Sequence, residues 1–128
     1  MIEDEDNLTL EEVISICKNT KDEFIELKSE NLSYNKTIEF IYKYKLDVAF
    51  IQNQIHQLQE NDYHSGPLED FNPNNKHPLW VFIKNIEIIN VIVLVYIKIK
   101  IIDHKRKIIV YSFHEEGMHN EKKQIRLL

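Results

Sequence analysis

Cysteine, glycine and proline are scarce in this 128-residue sequence, and their scarcity excludes several classes of protein. The single cysteine, Cys17, cannot form an internal disulfide, and the chain opens on Met-Ile-Glu-Asp-Glu-Asp rather than on a basic segment followed by an apolar one. We therefore expect a protein of the reducing cytoplasm. Neither of the two glycines belongs to a glycine-rich phosphate loop or a Gly-x-Ser-x-Gly turn, so nucleotide hydrolysis and acyl transfer have no support.

Long apolar runs are lacking as well. The most apolar stretch begins at Val91 and continues to Ile102, but Lys98 and Lys100 interrupt it. A membrane-spanning helix needs ~20 apolar residues, so none is predicted and no membrane partner is expected. The chain length fits a single domain, because domains commonly have roughly 100–150 residues and bury a core of their own.

The six histidines do not form a metal-binding pattern. None stands four residues from another on a helix, and none lies beside cysteines in a zinc-binding spacing. We therefore predict neither a metal site nor a cofactor.

Charge is divided unevenly along the chain. Residues 1–30 contain ten acidic residues and three lysines, a balance of −7, whereas residues 76–107 contain seven basic and two acidic residues, a balance of +5. The overall charge of −5 therefore conceals a basic half that could bind phosphates. The same distribution is also common on solvated surfaces that bind nothing.

The first half of the chain, residues 8–60, is predicted to be mainly helical. Thr9 and Glu12 form the pattern of a capping box at the start of the first helix. The apolar stripe that follows includes Cys17, whose expected role is packing, since no basic neighbour is visible to lower its pKa. Helical spacing predicts two more helices, over residues 33–44 and 47–59, the latter capped by Asp47. A short strand is favoured between the first two helices, within residues 22–28.

The second half is predicted to be a loop followed by strands. Residues 61–78 hold all three prolines and are interpreted as a loop. Residues 79–84, 91–102 and 107–113 are rich in β-branched and aromatic residues, and their short connections predict an antiparallel meander. Residues 115–128 form a tail with no clear period. The predicted fold class is α+β, a single domain with N-terminal helices packed on a small antiparallel sheet.

Polar side chains fall at one end of each predicted strand. Side chains alternate between the two faces of a strand, so every second residue shares a face. The residues predicted to share one face are Trp80, Phe82 and Lys84 in the first strand, Tyr96, Lys98 and Lys100 in the second, and Val110, Ser112 and His114 in the third. They could simply be the solvent-facing ends of half-buried strands.

Several short motifs, in this order and spacing, resemble the second half of the MqsR toxins: Leu58-Gln-Glu-Asn-Asp-Tyr63, Leu79-Trp-Val81, Val95-Tyr-Ile-Lys98 and Ile109-Val-Tyr-Ser-Phe-His-Glu115. A group of MqsR-like toxins is similar also through Asp62-Tyr-His-Ser-Gly-Pro67. The resemblance spans about residues 8–116 and is specific from about residue 58. It implies a RelE-like fold and a sequence-selective mRNA interferase, the toxin of a type II toxin–antitoxin system, with a cognate antitoxin as protein partner.

The resemblance also implies a set of site residues. The family's active-site tyrosine falls on Tyr96 and the neighbouring lysine on Lys98. His114 occupies the position of a lysine in the last strand. Two other positions depart from the family pattern, because Ser65 replaces a lysine of the loop and Val81 replaces a glutamine.

Metal-independent RNA cleavage needs a base for the ribose 2′-OH, positive charge on the phosphate and an acid for the leaving 5′-oxygen. A histidine, with an ordinary pKa of ~6.5, serves as base or acid at neutral pH better than a lysine. The expected catalytic residues are His114, His64 across the cleft, Tyr96 and Lys98. Tyr63 and Trp80 are expected to stack on unpaired bases of single-stranded RNA. Further RNA contacts are expected from Lys84, Lys100 and Ser112.

Two alternatives remain open. A catalytically inactive RNA- or protein-binding regulator of the same fold is favoured by Val81, by Ser65 and by residues 86–91, where relatives have a glycine-containing turn. A structural interaction protein is the other, since an apolar strand edge can pair with a partner chain.

Overall fold

The computed structural model describes residues 7–28, 36–69, 77–102, 104 and 106–117. Within these ranges the chain is α+β, as the sequence predicts. Its elements, in chain order, are α1 (Leu10–Asn19), β1 (Ile25–Leu27), α2 (Lys36–Tyr44), α3 (Val48–His56), β2 (Tyr63–Leu68), β3 (Leu79–Ile88), β4 (Val91–Ile102) and β5 (Lys107–Glu115).

The described strands form one five-stranded sheet in the order β1-β5-β4-β3-β2. The predicted meander is confirmed as β3, β4 and β5, which pair antiparallel, and β2 adds antiparallel to β3. The sheet is mixed, however, because β1 pairs parallel with β5. None of the described helices is long and apolar enough to cross a membrane.

The predicted loop over residues 61–78 is wrong at its start, since residues 63–68 form β2. This segment contains Gly66 and Pro67, which ordinarily argue against a strand. It lies at the sheet edge, where a proline needs no partner for its missing N–H, and two register shifts interrupt its pairing with β3. Residues 70–76 of the predicted loop lie outside the described residues.

Local signals predict the helix starts well. Thr9 Oγ1 accepts a hydrogen bond from the Glu12 backbone at 3.1 Å, and Glu12 Oε1 accepts one from the Thr9 backbone at 2.9 Å, completing the capping box. Asp47 caps α3 through the Phe50 backbone at 2.8 Å. The ends are less well predicted: α3 ends at His56, and β3 continues to Ile88, beyond the predicted residue 84.

Other boundaries shift by a few residues. The strand favoured within residues 22–28 is confirmed only as β1, because residues 22–24 form a 3-10 turn. The first residues of the predicted second helix, 33–35, lie outside the described residues, as do residues 118–128 of the predicted tail. Residue 115, placed at the start of that tail, belongs to β5.

The described helices pack on one face of the sheet, which we call the helix face. A single buried cluster joins Val13 and Cys17 of α1, Phe40 of α2 and Ile51 and Ile55 of α3 to alternate residues of the strands. In β4 the odd-numbered residues from Val93 to Ile101 belong to this cluster. Thr37 Oγ1 also accepts a hydrogen bond from the Phe113 backbone at 2.9 Å, which fixes α2 against β5.

The opposite side of the sheet, which we call the outer face, carries the even-numbered residues of β4. Cross-strand partners share a face, so their β5 partners Ile109, Ser112 and His114 and their β3 partners Val81 and Ile83 lie there too.

A bulge at Tyr111 shifts the alternation of β5. Lys98 pairs with Ser112, but the next β4 residue, Ile99, pairs with Val110, so Tyr111 is the extra residue. Val110 consequently faces the helices, whereas Ser112 and His114 face outward. The prediction that these three residues share one face is therefore wrong, because simple alternation cannot anticipate an inserted residue.

The hairpin between β3 and β4 contains a strained residue. Ile88 pairs with Val91, leaving Ile89 and Asn90 as a two-residue turn with φ of 49° and 66°. Positive φ at both positions favours Asn and Gly. A β-branched residue in this conformation is unusual, and the Ile89 side chain is 69% exposed, so little packing compensates the strain.

We therefore expect Ile89→Asn to raise the free energy of unfolding by about 1 kcal/mol, because asparagine tolerates the left-handed conformation. Urea unfolding followed by circular dichroism measures the change. Ile92→Asn, which replaces an exposed isoleucine within β4, is the control and should not stabilise the protein. Equal stabilisation by both variants would mean that reduced surface apolarity, and not turn strain, is responsible.

His56 connects the end of α3 to two segments of the first part of the chain. Its Nδ1 lies 2.9 Å from the Cys17 carbonyl oxygen and its Nε2 lies 2.6 Å from Asp22 Oδ1. Both partners are acceptors, so the doubly protonated ring satisfies both contacts. Burial lowers the pKa of His56, but the hydrogen bonds to Asp22 and Cys17 and the Asp22 charge together raise it above its ordinary value.

The raised pKa makes the His56 contribution dependent on pH. Because the folded-state pKa exceeds the unfolded one, the stabilisation is complete below the unfolded pKa and is lost as pH rises through the folded pKa. His56→Gln should therefore destabilise most in mildly acidic solution, and its difference from the native protein should shrink above neutrality. Thermal unfolding from pH 5 to pH 9 tests this. A difference that stayed constant with pH would show that the ring acts only by packing.

Candidate functional site

The register of β4 and β5 brings four candidate residues together on the outer face. Tyr96 pairs with His114, and Lys98 pairs with Ser112, so the four side chains form two adjacent cross-strand pairs. Such pairs have Cβ atoms roughly 4.5–5.5 Å apart, which places all four within reach of one small group. We call them the central quartet.

Tyr96 and His114 are stacked within the quartet. Their ring centroids lie 5.2 Å apart and the planes differ by 17°. His114 Nδ1 lies 3.0 Å from the Glu115 carbonyl oxygen, which can only accept a hydrogen bond. In the neutral ring Nδ1 therefore carries the proton, and Nε2 is the basic atom. His114 is 6% exposed, so the stack and the strand hold its orientation.

Tyr96 is a proton donor in this environment. Burial raises the pKa of its phenol above the ordinary value, since the charged phenolate is poorly solvated there. The group therefore stays protonated at neutral pH and can donate a hydrogen bond to an anionic oxygen.

An apolar wall borders the quartet on the β3 side. Val81 pairs with Lys98 and Ile83 pairs with Tyr96, and Val81 is buried. Because apolar surroundings weaken the screening of nearby charges, the wall strengthens the attraction between Lys98 and an anion bound there. The sheet therefore places the cationic Lys98 beside an apolar neighbour.

Lys100 lies next to the quartet but is buried, with 2% of its surface exposed. Its Nζ lies 5.3 Å from the centre of the Tyr111 ring, and Lys28 Nζ lies 5.5 Å from the same ring. The expectation that Lys100 binds RNA directly is therefore not supported by its exposure. Sequence reasoning missed Lys28 and the position of Tyr111, because the first depends on the parallel β1–β5 pairing and the second on the bulge.

The expected base-stacking residues lie elsewhere. Trp80 is 3% exposed and belongs to the core of the helix face, so its prediction as a stacking platform is corrected to a packing role. Tyr63 lies against Trp80 and Phe82, with ring centroids 6.3 and 6.4 Å away, and its hydroxyl donates to the Gly66 carbonyl oxygen at 2.6 Å. Tyr63 remains partly exposed, but these contacts place it on the helix-face side of β2.

Lys84 and His64 are likewise separate from the quartet. Lys84 lies on the helix face, where its Nζ donates to the Gln57 carbonyl oxygen at 3.2 Å. His64 is exposed on the edge strand β2, with Nδ1 3.1 Å from Ser65 Oγ. Strands β3 and β4 lie between β2 and β5, a separation of about 14 Å at normal strand spacing. The structure therefore does not bring His64 and His114 together around one phosphate.

Other surface features do not coincide with the quartet. Among the described residues, no group of three or more His, Cys, Asp or Glu side chains is arranged to hold a metal ion. A groove of ≈ 450 Å³ lies at the end of α1, between Ile16, Lys21, Phe24 and Arg106. It is lined by none of the predicted site residues.

Cys17 is fully buried and packs in the core, as the sequence predicts. Burial raises the pKa of its thiol to about 12, so the thiolate that a nucleophile requires is scarce at neutral pH.

The native protein should therefore react with a thiol-specific disulfide reagent at least about 100-fold more slowly than the unfolded chain, as expected for a buried structural cysteine. Absorbance of the released thiolate, followed with and without denaturant, measures the two rates. Fast reaction of the folded protein would contradict the packing role. Cys17→Ala, which removes the only thiol, gives the background signal.

Comparisons of the chain with protein-family models, curated proteins and solved structures give no match. The functional conclusion therefore depends on the geometry of the outer face and on the chemistry that its side chains permit.

Proposed function

We propose that this protein is a metal-independent endoribonuclease that cleaves single-stranded RNA at the central quartet. The observation that carries the proposal is the stacked Tyr96–His114 pair beside Lys98 on one face of the sheet. A histidine base, a protonated tyrosine and a lysine are the three kinds of group that cleavage through the ribose 2′-OH requires.

His114 acts as the base in the proposed mechanism. Its Nε2 removes the proton of the 2′-OH, and the resulting oxygen forms a bond to the adjacent phosphorus. The bond from phosphorus to the 5′-oxygen breaks as that oxygen takes a proton from the Tyr96 hydroxyl, which leaves a 2′,3′-cyclic phosphate and a free 5′-OH. The Nδ1 hydrogen bond to the Glu115 carbonyl supports this role, because it assigns the basic lone pair to Nε2.

Tyr96 and Lys98 stabilise the transition state. Positive charge on Lys98 offsets the charge that accumulates on the phosphate oxygens, and the low exposure of Val81 beside it reduces screening. Burial raises the pKa of Tyr96, so its hydroxyl is protonated before the reaction and carries the proton that the strongly basic leaving 5′-oxygen takes. Ser112, opposite Lys98, supplies a further hydroxyl donor.

We further propose a RelE-like fold and the role of toxin in a type II toxin–antitoxin system, sequence-selective for mRNA, in the cytoplasm. These assignments rest on the motif resemblance around Tyr96 and His114, and the α+β sheet with helices on one face supports them. A cognate antitoxin would be the protein partner. Induced expression in a bacterial host should then arrest growth, and His114→Ala should relieve the arrest.

The direct test is cleavage of a defined single-stranded RNA by purified protein in the presence of EDTA. His114→Ala should reduce the rate by at least about 100-fold, and Tyr96→Phe by a similar factor, since each removes a proton-transfer group. Mass analysis of the products should show 2′,3′-cyclic phosphate ends. His104→Asn, which changes an exposed histidine at the β4–β5 turn, is the matched control and should cut at the native rate.

Three results would contradict the proposal. Cleavage that EDTA abolishes would indicate metal-dependent chemistry. Equal activity of native protein and His114→Ala would show that His114 is not the base. If the native protein cuts neither naked RNA nor ribosome-bound message, the alternative function is favoured.

That alternative is a catalytically inactive RNA- or protein-binding regulator of the same fold. The low exposure of His114 and Lys100 favours it, because both groups have little surface to offer to a substrate. Salt-dependent RNA binding without cleavage is its expected signature.

A further inference from the structure

We propose that the groove at the end of α1 binds a small organic phosphate that carries a planar ring, such as a nucleoside monophosphate. We call it the α1 groove, and Ile16, Asn19, Lys21, Phe24 and Arg106 are among the residues that line it. Its volume of ≈ 450 Å³ is that of a small-molecule site, which commonly has roughly 300–1,000 Å³. The proposal is independent of the ribonuclease function, because the groove is lined by none of the residues predicted for RNA cleavage.

The parallel pairing of β1 with β5 assembles the α1 groove. Ile25 pairs with Ile108, so the segments that precede these two strands lie at the same end of the sheet. Arg106, from the turn before β5, therefore borders the same space as Lys21 and Phe24, from the segment between α1 and β1. A 3.2 Å hydrogen bond from the Arg106 backbone to the carbonyl oxygen of residue 102 fixes that turn.

The charged groups that line the groove are cations. Lys21 and Arg106 are both exposed, and neither forms an ion pair with another described residue. No carboxylate belongs to the described lining. Asp22, which follows Lys21 in the chain, is bound instead to His56, with 2.6 Å between Asp22 Oδ1 and His56 Nε2. The two cations therefore make the groove complementary to an anion.

Neutral groups at the end of α1 add to this complementarity. Asn19 Nδ2 donates to the Ser15 carbonyl oxygen at 2.9 Å and to Ser15 Oγ at 3.4 Å, so the Ser15 hydroxyl keeps its own proton for a further acceptor. The backbone N–H and the hydroxyl of Thr20 both donate to the Ile16 carbonyl oxygen, at 3.0 and 2.6 Å. These bonds satisfy a carbonyl group at the negative end of the helix, which would otherwise oppose an anion.

Phe24 gives the groove an aromatic wall. It is 44% exposed and does not belong to the buried core cluster. Ile16, which is partly buried against that cluster, lines the same groove. A planar ring bound here would cover apolar surface of both residues and stack on Phe24, a contact that tolerates any nucleobase.

The distribution of charge favours a compact anion over a nucleic-acid strand. A strand carries phosphates along its whole length and is bound by a series of cations. The described lining of the α1 groove has only two, and the exposed acids Asp22 and Glu23 directly follow Lys21 in the chain. A ligand with a single phosphate meets the cations without extending past these acids.

Titration of ¹⁵N-labelled protein with AMP, followed by NMR, tests the proposal. The shifted amides should be those of residues that line the groove, and saturation should give a Kd of about 1 mM or lower. Arg106→Gln should weaken AMP binding about tenfold, because an arginine contacts a phosphate through two parallel hydrogen bonds. Lys21→Gln should weaken it roughly two- to fivefold, as expected for one exposed ion pair. The spectrum of each variant also shows whether it is folded.

Two further probes separate the phosphate contact from the ring contact. Phe24→Leu should weaken AMP binding about threefold or more but leave the binding of ribose 5-phosphate unchanged, since that molecule has no base to stack. Adenosine, which has no phosphate, should bind native protein and Arg106→Gln equally. Lys18→Gln removes an exposed lysine of α1 outside the described lining and is the matched control, which should bind AMP as the native protein does.

Four results would overturn the proposal. The first is the absence of saturable shifts up to about 10 mM AMP, and the second is equal AMP binding by Arg106→Gln and Lys18→Gln. The third is a set of shifts confined to the central quartet, which would leave the ribonuclease proposal standing. The fourth is tighter binding in the groove of a 2′-O-methylated uridine hexanucleotide than of AMP, which would make an RNA strand its ligand.

Discussion

The pairing register of β4 is the constraint on which the rest of this structure depends. Each of its residues faces either the helices or the outer side, and both neighbouring strands align to it over most of its length. Its odd-numbered residues from Val93 to Ile101 are apolar and enter the core, whereas Tyr96, Lys98 and Lys100 alternate with them. A slip of one residue would turn the apolar set away from the helices and turn Tyr96, Lys98 and Lys100 toward them. The hydrophobic effect therefore fixes the register and the positions of these three residues together.

The bulge in β5 determines which face of the sheet each residue of this strand occupies. Without it, Val110 would share a face with Ser112 and His114, and either the valine would leave the core or the polar residues would enter it. The inserted residue lets Val110 and Phe113 both pack against the helices while Ser112 and His114 pair with the polar residues of β4. It also directs Tyr111 toward Lys28 and Lys100. The bulge therefore keeps the apolar residues of β5 in the core and places its polar residues beside those of β4 on the outer face.

The outer face combines cationic groups with apolar neighbours. Val81 and Ile109 are buried beside Lys98 and Lys100, their respective cross-strand partners. Desolvation of this kind costs free energy, and proteins concentrate such costs at sites where electrostatic interaction with a ligand is needed. Desolvation on this face also raises the pKa of Tyr96. These features support the proposal that this face recognises an anion.

The sequence by itself determined the elements whose signals are local: the capping box at Thr9, the Asp47 cap, the packing role of Cys17, the three strands of the meander and the shared face of Tyr96, Lys98 and Lys100. Only the tertiary structure decided the rest. It placed Lys28 beside Tyr111 through a parallel pairing across more than 80 residues of chain, turned Ser112 and His114 away from Val110, and separated His64 and Trp80 from the quartet. Local patterns report periodicity and capping, whereas strand order and inserted residues depend on the packing free energy of the whole sheet.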